Sequence, residues 1–288
     1  MVEINFRSPC EHKTMSIQYA LNKIDYLPTI PMTAQEVLKL ADDEMASVVT
    51  LGGIIDRDVS ISAKILNVSN SAYFGFGANV KTVNEAILRI GFLNVKNIAF
   101  GLSLMSVFSD GKGKKIMDYE RIFEHSSNVG VVAKLLSKEI KAGISEDIFV
   151  NGLLHDIGFL ALCHYFLEEY DNVMYDFHRY NTKSLIDVEQ DILGITHADM
   201  GSWLTEKWHL DKTVVDAAKY HHFPSRATSN SEYVALVHLA DYLTSENILS
   251  VTKKSPCYRL DRAALEILKL SENDFNNLKP LVQNHILN

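Results

Sequence analysis

The chain has 288 residues, of which 47% are hydrophobic, 9% aromatic and only 6 proline, a make-up that supports one large domain or two moderate ones and excludes global disorder. With 36 acidic against 28 basic side chains the formal net charge is -8, which works against the phosphate neutralisation that DNA binding needs. Cys10, Cys163 and Cys257 form no C-x-x-C pair, the N-terminus holds no continuous apolar run, and nowhere do 18 uncharged apolar residues follow one another, so the expectation is a reduced, unexported cytoplasmic protein.

Met1 to about Ser16 is polar and aperiodic. L-P-T-I-P at Leu27–Pro31 is a rigid segment that restricts its neighbours to extended backbone. Thr33, with Glu36 at capping-box spacing, is expected to cap a helix carrying Val37, Leu38 and Leu40. Ala46–Ile55 and Val59–Asn70 give two more amphipathic patterns. The glycine-punctuated N-S-A-Y-F-G-F-G at Asn70–Gly77 reads as a turn tucked in by its aromatics, and Val83–Ile90 and Leu93–Phe108 as helices joined at Gly91. Period-two alternation is absent throughout, so the fold class is all-α. The polar stretch S-D-G-K-G-K-K at Ser109–Lys115 is the best linker in the chain, dividing an N-terminal bundle, residues 1–110, from a second one, residues 115–288.

The second half opens with a long pattern from Tyr119 to about Lys141 that carries His125 on a face with Val129 and Val132. Ser145 can cap the next helix, Ile148–Leu162, whose sequence I-F-V-N-G-L-L-H-D-I-G-F-L-A-L is apolar nearly all round apart from adjacent His155 and Asp156. Helical patterns follow at Ala161–Tyr175, Ser184–Ile195, Ala198–Trp208, Thr213–Tyr220, Glu232–Thr244, Arg262–Leu270 and Glu272–Leu287. Trp203, Trp208 and Cys163 are assigned to the core, and Asp199 to the first turn of its helix.

A carboxylate buried in an apolar helix is normally neutralised, hydrogen-bonded or bound to a cation. His155–Asp156 is therefore either a structural pair that orients neighbouring helices or part of a metal or catalytic site. On one continuous helix the two side chains would diverge by about a third of a turn, so a site using both must lie across the helix face. His125, His197, His221 and His222 also stand beside apolar helical patterns, as does Asp241, and facing helices of a bundle can build a metal site from such side chains. Imidazole with carboxylate suits Fe, Mn, Zn or Ni. His238 shares a helical face with Asp241, as a supporting or a simply packed residue.

The order His125, then His155-Asp156, then a distant Asp241 resembles the HD superfamily of metal-dependent phosphohydrolases, in which these four positions bind a divalent metal. H-D-I-G, His197 and the doublet His221-His222 resemble the HD-GYP branch, whose extra histidines hold a second metal. Further segments narrow the likeness. L-P-T-I-P, D-R-D-V-S-I-S-A-K-I-L-N-V-S-N-S-A-Y-F-G, V-N-E-A-I-L-R-I-G-F-L-N-V-K-N-I and I-T-H-A-D-M-G-S-W-L-T-E-K-W-H-L are similar to the HDOD family, over about Leu27 to Asp241. The resemblance implies an all-helical bacterial signal-transduction or regulatory protein, an N-terminal helical bundle packed on an HD-like bundle. It also implies a divalent metal site, with Asp156 bridging two ions if dinuclear; Fe or Mn is favoured, with Zn, Ni or Mg as alternatives.

Three departures bear on activity. Phe159 follows Gly158 where HD-GYP enzymes carry lysine, F-P-S-R-A-T-S-N replaces their glycine-tyrosine-proline segment, and Arg121 stands one turn before His125 where a trimetal centre would place an acid. They argue against cyclic-di-GMP hydrolysis. Three expectations remain open: a regulatory protein that keeps the metal site and acts through a signalling protein partner; a phosphohydrolase acting on a nucleotide or cyclic dinucleotide, with Asp156 and a metal-bound water as its catalytic groups; and a metal-free scaffold. A nucleotide ligand is compatible with the first two, whereas DNA and membrane are not expected partners.

Overall fold

A computed structural model describes residues 24, 28–40, 46–71, 74, 79–109, 118–144, 148–180, 183–248 and 259–283. Among the described residues every regular element is helical and there is no strand. The N-terminal half contains α1 (Met32–Lys39), α2 (Val48–Ile55), α3 (Val59–Ser69), α4 (Val83–Ile90) and α5 (Phe92–Ser106). The remainder contains α6 (Tyr119–Glu139), α7 (Ile148–Leu154), α8 (Ile157–Tyr165), α9 (Leu167–Tyr180), α10 (Leu185–Leu193), α11 (His197–Lys207), α12 (Lys212–Tyr220), α13 (Ser231–Ile248), α14 (Ala263–Ile267) and α15 (Glu272–Gln283).

Capping sets many of these boundaries. Ser47, Asp58, Thr82 and Asp118 each accept from a backbone N–H in the first turn of α2, α3, α4 and α6. Full capping boxes open α10 (Ser184 with Asp187) and α11 (Thr196 with Asp199), which accounts for Asp199 as expected. The expected cap at Thr33 is not made. α1 starts two residues earlier, with Pro31 as its N-cap and no side-chain cap bond, because the ring of Pro31 already holds a helix-compatible φ of -55°. The capping role of Ser145, most of the Asn70–Gly77 turn and nearly all of the Ser109–Lys115 linker lie outside the described residues.

One apolar core joins the two halves. Ile55, Ile65, Ile98 and Leu104 from the N-terminal helices share it with Phe149, Leu153, Leu160 and Phe166 around α7 and α8. Trp208 is buried there and donates its indole N–H to the carbonyl of Pro28 at 2.9 Å, tying the L-P-T-I-P segment to the end of α11. A second core packs α6, α12 and α13 with α14 and α15 through Val132, Leu136, Ala217, Leu239, Leu265 and Phe275. The apolar window Ile148–Tyr165 is 78% buried in this packing, which accounts for its hydropathy.

The sequence predicts one continuous helix over Ile148–Leu162, and the structure corrects this. Backbone regularity breaks at His155–Asp156, where Asp156 adopts φ -99°, ψ 15° and becomes the N-cap of α8. Likewise, the single expected Ala161–Tyr175 helix is divided at Phe166 into the end of α8 and the start of α9.

Candidate metal centre

Two close helix crossings bring the histidines together. A Cβ added to Gly152 of α7 would lie 2.7 Å from the Cα of Gly130 in α6, so only glycines allow the helices carrying His125 and leading into His155 to approach this far. A Cβ on Gly158 of α8 would lie 2.0 Å from the carbonyl oxygen of His197, so H-D-I-G needs its glycine to seat the start of α11 beside Asp156.

The break at Asp156 gives the pair its geometry. Instead of diverging around a helix, the two side chains converge, with His155 Nε2 3.3 Å from Asp156 Oδ2. Around the same carboxylate oxygen and its neighbour Asp241 stand His125 and His155. His125 Nε2 lies 3.1 Å from Asp241 Oδ1 and 3.8 Å from Asp156 Oδ2, and His155 Nε2 lies 3.5 Å from Asp241 Oδ2. The other oxygen of Asp156, Oδ1, faces a second group, 3.5 Å from His197 Nε2 and 3.4 Å from His221 Nε2. His222 Nε2 approaches His197 Nε2 at 2.7 Å. All seven residues singled out in the sequence, His125, His155, Asp156, His197, His221, His222 and Asp241, therefore meet in one cluster of three overlapping groups, two of which share Asp156 while the third joins His155 and His221 to Asp241.

Backbone and side-chain acceptors orient these rings. The Nδ1 of His155 bonds the Gly152 carbonyl at 2.7 Å, that of His221 bonds the Ala218 carbonyl at 2.9 Å, and that of His197 bonds Glu189 Oε2 at 2.7 Å. With Nδ1 as the donor, each Nε2 turns a lone pair towards Asp156, the arrangement by which outer partners orient metal-binding histidines. His238 is a supporting residue: Nδ1 donates to the His221 carbonyl at 2.6 Å and Nε2 accepts from the Asp261 N–H at 2.9 Å.

Glu189 was not singled out in the sequence. It is fully buried in α10, accepts from both the backbone N–H and the ring of His197, and accepts the hydroxyl of Tyr170. The available signal was its position on the apolar face of α10, four residues before the buried Leu193.

Electrostatics reflect two carboxylates drawn into a dry site. Burial raises the pKa of Asp156 and Asp241, but the facing histidines outweigh it and hold both well below the usual carboxylate range. Burial lowers His197, yet Glu189 and Asp156 carry its pKa to about 9, and Asp156 with Asp241 likewise raises His155. His222 is held low by burial and by its neighbours His221 and His197. The two carboxylates thus favour positive charge among the imidazoles that face them. The donor set fits a cation: His155 Nε2, Asp156 Oδ1 and His221 Nε2 are buried, have no hydrogen-bond partner and face common space.

The described residues form an all-helical fold around a buried His/Asp cluster. The chain belongs to the HDOD family, whose HDOD domain matches residues 27–224. An HDOD domain protein of unknown function from Geobacter sulfurreducens is similar over 92% of both chains, with TM-score 0.75 and 19% identity. A Shewanella amazonensis protein, named only provisionally as a metal-dependent phosphohydrolase, is similar over 92% of this chain and 95% of its own, with TM-score 0.62 and 20% identity. At these identities the likeness concerns the fold. An uncharacterized Treponema pallidum (strain Nichols) protein is 20% identical over 253 residues, which are 86% of this chain and 47% of that protein. The chain thus spans about half the length of that curated relative.

Proposed function

We propose that this protein is a regulatory HDOD protein whose C-terminal bundle holds a divalent metal pair and whose output is contact with a signalling protein. His125, His155, Asp156 and Asp241 surround one position, and Asp156, His197, His221 and His222 the other. The observation that carries this reading is the set of buried, partnerless atoms, His155 Nε2, Asp156 Oδ1 and His221 Nε2, aimed at shared space. Fe or Mn is the favoured metal, because the donors mix imidazole with carboxylate and include no thiolate.

Two features favour regulation over turnover. Phe159 places an aromatic ring beside the site, edge-on to Tyr170 at 5.2 Å and to His197 at 6.4 Å, where a lysine would reach for phosphate. His155, His221 and Asp241 are 0% exposed, leaving Asp156 (19%), His125 (12%) and the half-buried His222 as the members of the cluster that reach solvent.

Hydrolysis of a phosphoester is the second reading, favoured by the carboxylate shared between two ligand groups. A metal pair supplies a nucleophilic hydroxide and a clamp on both the attacking and the leaving oxygen. In that reading Asp156 would be a ligand to both ions, and Glu189 would hold His197 in place.

Metal analysis of purified protein tests the proposal, with about two equivalents per chain expected and loss of metal in His155→Ala and Asp241→Ala. Wild type purified without Fe, Mn, Zn or Ni, and unable to take them up, would sink both readings. Metal-dependent turnover of a phosphodiester or nucleotide, abolished by both substitutions, would transfer the conclusion to the hydrolase.

A further inference from the structure

Away from the histidine cluster, a cleft of about 830 Å³ opens where the N-terminal helices meet the end of α6. Four cationic side chains line it, Arg89 from the last turn of α4 and Lys134, Lys138 and Lys141 from α6 and the residues just beyond it, against a single carboxylate, Glu139. Lys134 and Lys138 lie one turn apart on the same face of α6, and Lys141 follows just past the helix end, where its backbone is left-handed at φ 52°. In a chain of net charge -8 this is a local reversal of sign.

Cations in the last turn of a helix complement its dipole, which accounts for Arg89 and Lys138 taken singly. It does not account for two helix ends delivering them to one cleft, nor for Lys134, which lies a turn further in and donates to Asn94 across it. Beside the charged side chains the half-buried Phe74 and Ile144 give the lining apolar and aromatic surface, backed by the buried Ile90 and Ile148. The volume is that of a small-ligand site, and a concave basic wall concentrates anions.

We propose that this cleft binds a nucleoside phosphate, its phosphate held by Arg89, Lys138 and Lys141 and its base laid against Phe74 and Ile144. Lys134 is nine residues from His125, about 14 Å along α6, so this site is separate from the metal centre. The ligand would touch α6, which carries His125, and Ile148, the first residue of the helix that leads into His155.

Calorimetric titration with AMP tests this, because AMP chelates metals weakly and the measurement can be made on metal-loaded and on chelator-treated protein alike. The expected result is one AMP per chain in both forms, with adenosine and inorganic phosphate each bound about tenfold more weakly or worse. The double variant Lys138→Gln/Lys141→Gln should lose about tenfold or more in AMP affinity while keeping its melting temperature and metal content. Absence of AMP binding at millimolar concentration, unchanged binding in the double variant, or inorganic phosphate bound as tightly as AMP would each overturn the proposal. None of these outcomes depends on metal occupancy.

Discussion

Glu189 Oε2 lies 2.7 Å from His197 Nδ1 and 2.8 Å from the His197 backbone nitrogen, so one buried carboxylate sets both the ring orientation and the helix start of a residue facing Asp156. Glu189→Gln keeps the volume and removes the charge. The expected outcome is a 10–100-fold loss in metal affinity at the second position, the usual scale for an outer partner. Titration of chelator-treated protein with Mn or Zn measures it, and an affinity equal to wild type would show that Glu189 serves packing alone.

The protons on the metal-free cluster set a pH dependence. His197 is raised from 6.5 to about 9, so its contribution to stability is fully present below pH 6.5 and is lost as pH rises through 9. Metal-free protein should therefore melt at progressively lower temperature from about pH 6.5 to pH 9. Metal-loaded protein should change in the opposite sense, because the ion must displace those protons and binds better once they are gone. Melting curves across this range with and without chelator check both signs, and parallel curves would argue against ion and protons competing for the same atoms.

The glycine crossings give a stability contrast. Gly158→Ala would force a Cβ to 2.0 Å from the His197 carbonyl and 2.3 Å from the Gly201 nitrogen, and should cost about 3 kcal/mol or more while disturbing metal binding. Gly53→Ala meets nothing within 4 Å in exposed helix and should stabilise by about 0.4–1 kcal/mol. Urea unfolding of the two variants beside wild type measures the difference. Equal stabilities would mean that α8 and α11 can separate without cost.

Asp216 holds down the segment before α13, the helix that carries Asp241. Its carboxylate accepts from Ser229 Oγ at 2.7 Å and Asn230 Nδ2 at 2.8 Å and pairs with Lys212 at 3.1 Å. Burial raises its pKa, but these bonds outweigh it and hold the group below its ordinary 3.8. The stabilisation is present above that value and is lost as pH falls below it. Asp216→Ala should cost about 1–3 kcal/mol at neutral pH, and less in acid, by denaturant unfolding. A pH-independent difference would assign the loss to packing.

Helix content was legible because 3.6-residue periodicity and side-chain caps are local. Ser184 with Asp187 and Thr196 with Asp199 opened their helices through contacts three residues apart. The candidate site was legible as residue identities, since histidines and aspartates among apolar neighbours call for partners wherever they are buried. Thr33 misled because proline geometry two residues earlier competed with its cap. Glu189 escaped because its partner, His197, lies beyond the end of its own helix, past Gly194 in the left-handed conformation.

The sequence by itself determined an all-α chain with seven His and Asp side chains that burial would force into partnership. Only the tertiary structure decided how they meet. On a continuous helix His155 and Asp156 would point a third of a turn apart. The backbone instead breaks between α7 and α8, because the glycine crossings at Gly152 and Gly158 seat those helices against different neighbours. That break turns the two oxygens of Asp156 towards separate groups of histidines, so one carboxylate belongs to both.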